Sequence, residues 1–391
     1  MNTRDSLFIA VESPFSKRDW QRFGIETLSQ RFNVRIIDLS PIAQPVLHTL
    51  RSETLLNEPS ISVIRNPEDL ENLLDSANGG ALISNVGGSE IRHELFRLAR
   101  NRDLLIAEFE LGAMPDITRH QRSLWTQLVQ RWRQMPSLWL LPKMIFKRIW
   151  RRSFDEDLPD VFYRGGLLAR GKHPRLGKAI VDVHSLDFEF AQAIDQTNLR
   201  TDPHRIVYLD QNLGFHSDIP GLGLKQPVTA NEFYPVINDY FDWLEHEHGF
   251  RVVICPHPRA EMSATRSRFP GKEISLMPTA REVARSVAVC GHVSTSFSYA
   301  VIFNKPALVL TTAELSRSWY APYIDRFVEE LSAPLVNLST RDSWMMPAIV
   351  TSEEQESSYA LYRANYLNAS YTPNRKLWEF IGDDILERIR G

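Results

Sequence analysis

Short apolar runs alternate with helix-patterned segments along most of the chain, and this alternation restricts the fold more than any other feature. LFIAV (7–11) precedes a polar helical stretch at 17–31; VRIIDL (34–39) and ISVIR (61–65) come next. PEDLENLLDSA sets a proline and two acids in a first helical turn, where the missing N–H costs nothing and negative charge meets the positive end of the helix. ALISNV (81–86), SEIRHELFRLARNR and LLIAEF (104–109) continue the pattern. Apolar runs without polar alternation fit strands covered on both faces, and strands separated by helices pair in parallel.

The pattern returns later. AIVDVHS (179–185), RIVYLDQN (205–212), FRVVICP, VAVCG (287–291), ALVLTT (307–312) and APLVNL (333–338) read as strands. The helix FYPVINDYFDWLEHEHG ends on Gly249, a suitable C-cap because glycine accepts a left-handed backbone. The last stretch, through NRKLWEFIGDDILERIR, is helical. A length of 391 residues suits two domains. The expected class is therefore α/β, with two doubly wound, Rossmann-like domains at 1–200 and 201–350. C-terminal helices at 351–391 complete the chain, one of them crossing back to the first domain. A ligand cleft is expected between the carboxyl ends of the two sheets.

Composition excludes several alternatives. The net charge of −3 argues against a nucleic-acid binder. No run reaches the roughly 18 apolar residues of a membrane span, and the apolar run at the N-terminus is short for a signal peptide, so a cytoplasmic protein is expected. Cys255 and Cys290 each end an apolar run without CxxC spacing, which predicts core thiols rather than a disulfide or zinc site.

One segment departs from this balance. Between Ile117 and Ser153 there is no Asp or Glu, but there are nine Lys or Arg, with Trp125, Trp132, Trp139, Phe146 and Trp150 among them. A basic, aromatic helical insert at 117–153 can lie on an anionic inner-membrane surface. It can equally be a helical pair packed on the first domain with a solvated basic face.

RVVICPHPRAE (251–261) runs from a buried strand into a histidine framed by prolines. The prolines stiffen the loop. An imidazole held there can hydrogen-bond a phosphate oxygen or protonate a leaving phosphate, and Arg259 can add a charge-assisted contact. A rigid turn with an incidental histidine is the alternative. Downstream, VCGHVSTSFSYAVIFNKPALVL places Ser294, Thr295 and Ser296 between a strand and an apolar helix. Hydroxyls and the positive helix end suit a phosphate or carboxylate; ordinary capping is the alternative. Both motifs are expected on the same edge of one sheet.

The His-Pro pair, the later Ser/Thr cluster and the Asn-Lys-Pro beyond it resemble bacterial surface-polysaccharide glycosyltransferases of the GT-B fold. The pattern is similar to the capsule and lipopolysaccharide enzymes that use CMP-activated Kdo or sialic acid, and to CDP-glycerol polymer transferases. The resemblance covers mainly residues 205–312. It implies that His257, Pro258, Ser294, Thr295 and Ser296 hold the nucleotide phosphate and nearby donor groups.

Such a transferase also needs a carboxylate, as base on the acceptor hydroxyl or as nucleophile. Asp210, at the end of the first strand of the second domain, is the leading candidate, supported by Gln211, Asn212 and His216; an Asx turn is the alternative. Asp187 is a second candidate. In the first domain, Glu12 and the Gly87-Gly88-Ser89-Glu90 turn come after strands on the acceptor side, and Glu314 is a candidate for ribose hydroxyls. With no Walker loop, GxGxxG or metal-ligand spacing, no ATP, NAD, zinc or other metal cofactor is expected. The partners implied are a CMP-sugar donor and a glycan or lipid-linked acceptor. A sugar-nucleotide epimerase on the same scaffold and a non-catalytic subunit of a polysaccharide assembly complex are the rival functions.

Overall fold

The computed structural model describes residues 4–50, 56–75, 77, 79–87, 90–115, 158–169, 176–194, 199–216, 218–221, 224–368 and 375–391. The basic segment 117–153, Gly88 and Ser89 lie outside these residues. The chain divides into two compact units.

The first unit contains β1 (Ser6–Val11), β2 (Asn33–Asp38), β3 (Ile61–Val63), β4 (Gly80–Asn85), β5 (Leu105–Glu110), β6 (Val161–Arg164) and β7 (Ala179–Asp182). They form one parallel sheet in the order β3-β2-β1-β4-β5-β6-β7. The strand order reverses direction between β1 and β4, the switch point of a doubly wound sheet. Phe8, Ile37, Leu82 and Ile106 of the strands pack with Leu70, Leu95 and Phe96 of the helices Pro67–Asp75 and Glu90–Arg100. The helix expected over 17–31 is two helices, Lys17–Arg22 and Ile25–Ser29, because Gly24 between them takes φ +56°. The strand β6 has no counterpart among the expected strands.

The C-terminal helix Leu377–Arg390 belongs to this first unit. Its Trp378 lies edge-on to Phe109 at 5.7 Å and 6.4 Å from Phe23, ring centre to ring centre, and the indole N–H donates to the Arg22 carbonyl at 2.8 Å. The same helix meets Tyr163 through Asp384 (2.7 Å) and Arg31 through Asp383 (2.6 Å). The helix expected to cross back therefore does so.

The second unit contains β8 (Arg205–Leu209), β9 (Arg251–Cys255), β10 (Glu273–Ile274), β11 (Ala288–Gly291), β12 (Ala307–Thr311) and β13 (Leu335–Asn337). Its parallel sheet has the order β10-β9-β8-β11-β12-β13, with the switch point between β8 and β11. Every residue of β8 is buried. The long helix Ala230–His248 ends on Gly249 in the left-handed conformation, φ +69°, as expected. The helix Glu353–Tyr362 also packs here: Gln355 donates to the Ala307 carbonyl at 3.1 Å, and the Tyr359 hydroxyl, one turn on, to the Lys305 carbonyl at 2.8 Å. Cys255 and Cys290 are free, buried thiols, and burial pushes both above the ordinary thiol range. Among the described residues no helix is long and apolar enough to cross a membrane.

Candidate functional site

Because β9, β8 and β11 are parallel neighbours, their carboxyl ends open on one edge of the second sheet. The residues just beyond them are Asp210, His257 and the Ser294–Ser296 cluster. Such an edge, at a switch point, is where doubly wound sheets present ligand-binding groups.

Asp210 is 5% exposed. Its N–H donates to the Cys255 carbonyl at 3.0 Å, which continues the pairing of β8 with β9. Its Oδ1 accepts the Asn212 N–H at 2.9 Å, the Asx turn that is the alternative reading of this residue. Asn212 takes φ +53°, a left-handed conformation that asparagine tolerates better than most residues. The other oxygen, Oδ2, is buried and makes no hydrogen bond among the described residues. Burial, opposed by the Asn212 N–H, the Arg268 charge and the N–H groups of His257 and Gln211, pushes the carboxyl up to about 6. Asp210 is thus both a turn residue and a carboxylate that titrates near neutral pH.

His257 sits in a tight turn. Its carbonyl accepts the Ala260 N–H at 2.8 Å and its Nδ1 faces the Arg259 N–H at 3.3 Å. Its ring lies 4.7 Å from that of His216, whose carbonyl is held by the Gln226 amide at 2.9 Å. Pro258 and Arg259 are exposed at the tip of this turn.

Gln211 ties this loop to the one after β11. Its Oε1 accepts the Val293 N–H at 2.9 Å and the Tyr320 hydroxyl at 3.2 Å. The cluster then starts the helix Phe297–Ile302. Ser294 Oγ accepts the Ser296 N–H at 3.2 Å, while Ser296, at the N-cap, makes no capping bond with its side chain. Thr295 is exposed. Capping therefore does not account for all three hydroxyls.

His292, beside the cluster, is structural. Burial drives it down to about 4, so the ring is neutral at neutral pH. Nδ1 donates to the Leu310 carbonyl at 2.6 Å, and Nε2 accepts the Tyr208 hydroxyl at 3.1 Å.

The remaining candidates are more dispersed. The carboxylate of Glu314 accepts both the N–H (2.9 and 3.0 Å) and the hydroxyl (2.8 Å) of Thr229, which precedes the helix Ala230–His248. Asp187 lies in the first turn of the helix Leu186–Gln192 and accepts the Tyr299 hydroxyl at 3.3 Å. At the switch point of the first sheet, Glu12 after β1 accepts the Gly87 N–H after β4 at 2.6 Å. A Cβ on Gly87 would stand 2.9 Å from the Glu12 carboxylate, a contact the carboxylate end could relieve only by shifting away from the Gly87 N–H. Glu90 is exposed at the start of the helix Glu90–Arg100.

No protein-family model matches the chain, and no curated protein does. Solved structures do. The calicheamicin glycosyltransferase CalG4 matches over all of both chains with a TM-score of 0.53 and 11% identity. The wall teichoic acid polymerase TagF matches over 99% of this chain and 89% of its own, with a TM-score of 0.51 and 12% identity. These likenesses, with the two parallel sheets, decide the fold. The chain has the GT-B fold.

Within the second GT-B unit, the structure adds residues that local sequence patterning does not single out. Arg268, at the end of the helix Met262–Arg268, donates to Asn212 Oδ1 and lies 4.1 Å over the Phe215 ring and 5.5 Å from that of Tyr234. Tyr320 joins the Gln211 bridge. Arg268 stands in MSATRSR two residues after Arg266, and no local signal marks it out. The chemistry available at this edge is a carboxylate ready to take a proton, two imidazoles, and hydroxyls at a helix start.

Proposed function

We propose that the chain is a nucleotide-sugar-dependent glycosyltransferase. It moves Kdo or another nonulosonic acid from a CMP-activated donor to a growing surface glycan of the lipopolysaccharide or capsule type. The observation that carries this reading is Asp210, buried at the switch point with one oxygen unmet and titrating at about 6, on the same sheet edge as His257 and the Ser294–Ser296 cluster. The GT-B fold, shared with a protein named as a glycosyltransferase, supports it.

In this mechanism His257 and the hydroxyls of Ser294, Thr295 and Ser296 hold the CMP phosphate, and His257 hydrogen-bonds or protonates the departing oxygen. Arg259, exposed at the turn, meets the carboxylate of the sugar. Asp210 takes the proton of the acceptor hydroxyl or attacks the anomeric carbon. A carboxyl that titrates near 6 is ionised at neutral pH, yet basic enough to accept a proton in the transition state.

The test is a thermal-shift comparison of CMP, CDP, UDP and GDP, followed by donor turnover. CMP at about 100 times its Kd stabilises a specific site by about 2.7 kcal/mol. A UDP-sugar turned over while no CMP-sugar is bound would overturn the donor assignment. Conversion of a sugar nucleotide into its epimer without acceptor would favour the epimerase, and binding of none of them the non-catalytic subunit.

A further inference from the structure

Building on that transfer reaction, we propose that Arg268 is a positioning residue that grips the Asp210–His216 turn and so aims the Asp210 carboxylate. Its guanidinium reaches the turn twice. It donates to Asn212 Oδ1, and its Cζ lies over Phe215, 4.1 Å from the ring centre.

Asn212 is the hub. Its N–H holds Asp210 Oδ1 at 2.9 Å, its Nδ2 donates to the Phe215 carbonyl at 3.2 Å, and its Oδ1 is taken by Arg268. Its left-handed backbone is a conformation that surrounding contacts must maintain. Phe215 is 50% exposed, so burial alone does not anchor it; the cation above it and the Tyr234 ring stacked at 6.3 Å do. Tyr234 is fixed in turn by its hydroxyl, which donates to the Leu213 carbonyl at 3.0 Å. One cation thus closes a network around the turn, with Asp210 Oδ1 pinned by Asn212 and the buried Oδ2 free of a hydrogen bond among the described residues.

The groups facing Asp210 are the N–H groups of Gln211 and Asn212, the His257 N–H from the loop after β9, the phenols of Tyr208 on β8 and Tyr234 on the helix Ala230–His248, and Arg268. Of these, Arg268 is the permanent cation, so its removal favours the protonated carboxyl.

The experiment compares wild type, Arg268→Gln, Arg268→Lys and Phe215→Leu in the full chain. Four quantities are measured: CMP affinity by calorimetry, kcat and KM with a CMP-sugar, and the Asp210 titration midpoint by NMR of 13C-labelled aspartate, assigned with Asp210→Asn. Arg268→Gln is expected to leave CMP affinity within about twofold, to lower kcat by about tenfold or more, and to raise the midpoint by about half a pH unit or more. Arg268→Lys should restore the midpoint more fully than kcat, because an ammonium keeps the charge but not the planar fork. Phe215→Leu, at an exposed position that tolerates change, should lower kcat with CMP affinity intact. Loss of CMP binding with kcat preserved would make Arg268 a donor ligand, and an unmoved midpoint with normal kcat would make it merely structural; either result overturns the proposal. The midpoint does not depend on turnover. If wild type transfers no CMP-sugar while Arg268→Gln still moves the midpoint, the transfer reaction fails and the hold of Arg268 on Asp210 stands.

Discussion

The imidazole rings of His216 and His257 stand 4.7 Å apart, centre to centre, and are tilted by 55°. They come from different loops and meet because β8 and β9 pair in register, Leu209 beside Cys255. Two imidazoles this close can both hydrogen-bond one bound anion. A phosphate is such an anion.

His257→Ala should therefore reduce transfer by about a hundredfold or more, the scale of a lost general acid. The melting temperature should stay close to wild type, because the ring is only partly buried. His216→Ala should weaken donor binding with a smaller effect on kcat. Near-normal turnover in His257→Ala would show that the proline-framed histidine only shapes the turn.

Asp210 couples activity to pH. With its carboxyl pushed up to about 6, kcat/KM should fall as pH drops through that value. Stability has the opposite sense. A folded-state value above the ordinary 3.8 means that the folded protein binds the proton more tightly. The stability from this group is fully present below about 3.8 and is lost as pH rises through about 6. At pH 8 the buried, ionised group costs up to about 3 kcal/mol. Asp210→Asn should thus keep CMP binding, abolish transfer, and raise the melting temperature relative to wild type more at pH 8 than at pH 4. An equal difference at both pH values would mean that the carboxyl titrates normally.

Trp378 offers a test of the fold. It is 5% exposed and packed on Phe23 and Phe109. Trp378→Ala should cost the first unit about 3–5 kcal/mol in urea unfolding. Gly24→Ala should also destabilise, since its Cβ would stand 2.3 Å from Trp378 ring carbons at a positive φ. Wild-type stability in Trp378→Ala would show that the helix Leu377–Arg390 is not needed by the first unit.

The segment 117–153 carries a separate expectation from its composition. If its nine cations meet an anionic membrane, binding to phosphatidylserine vesicles should weaken with salt without vanishing, because the tryptophans add an apolar contribution that salt does not screen. Substituting Gln for Arg148, Arg151 and Arg152 should lower vesicle binding and leave transfer to a soluble acceptor analogue intact. A wild-type chain that ignores such vesicles at low salt would assign the segment to packing on its own domain.

The sequence by itself determined the parallel α/β class, most strands and the identity of Asp210, His257 and Ser294–Ser296 as residues at strand ends. Those features arise from local patterning: an apolar run marks a strand buried on both faces, and the residues just after that run fall at the carboxyl edge. The short strands VFYR and Glu273–Ile274 escaped because so few residues carry no periodicity. Tertiary structure alone decided that β8 lies between β9 and β11, which brings Asp210 between the other two motifs. It also decided that Glu314 is occupied by Thr229, that His216 faces His257, and that Arg268 holds the turn beside Asp210. The physical reason is common to all four. Strand order and the contacts between distant loops are set by how whole elements bury their faces against one another, and a side chain that meets its partner only across that packing leaves no trace in its own neighbourhood of the sequence.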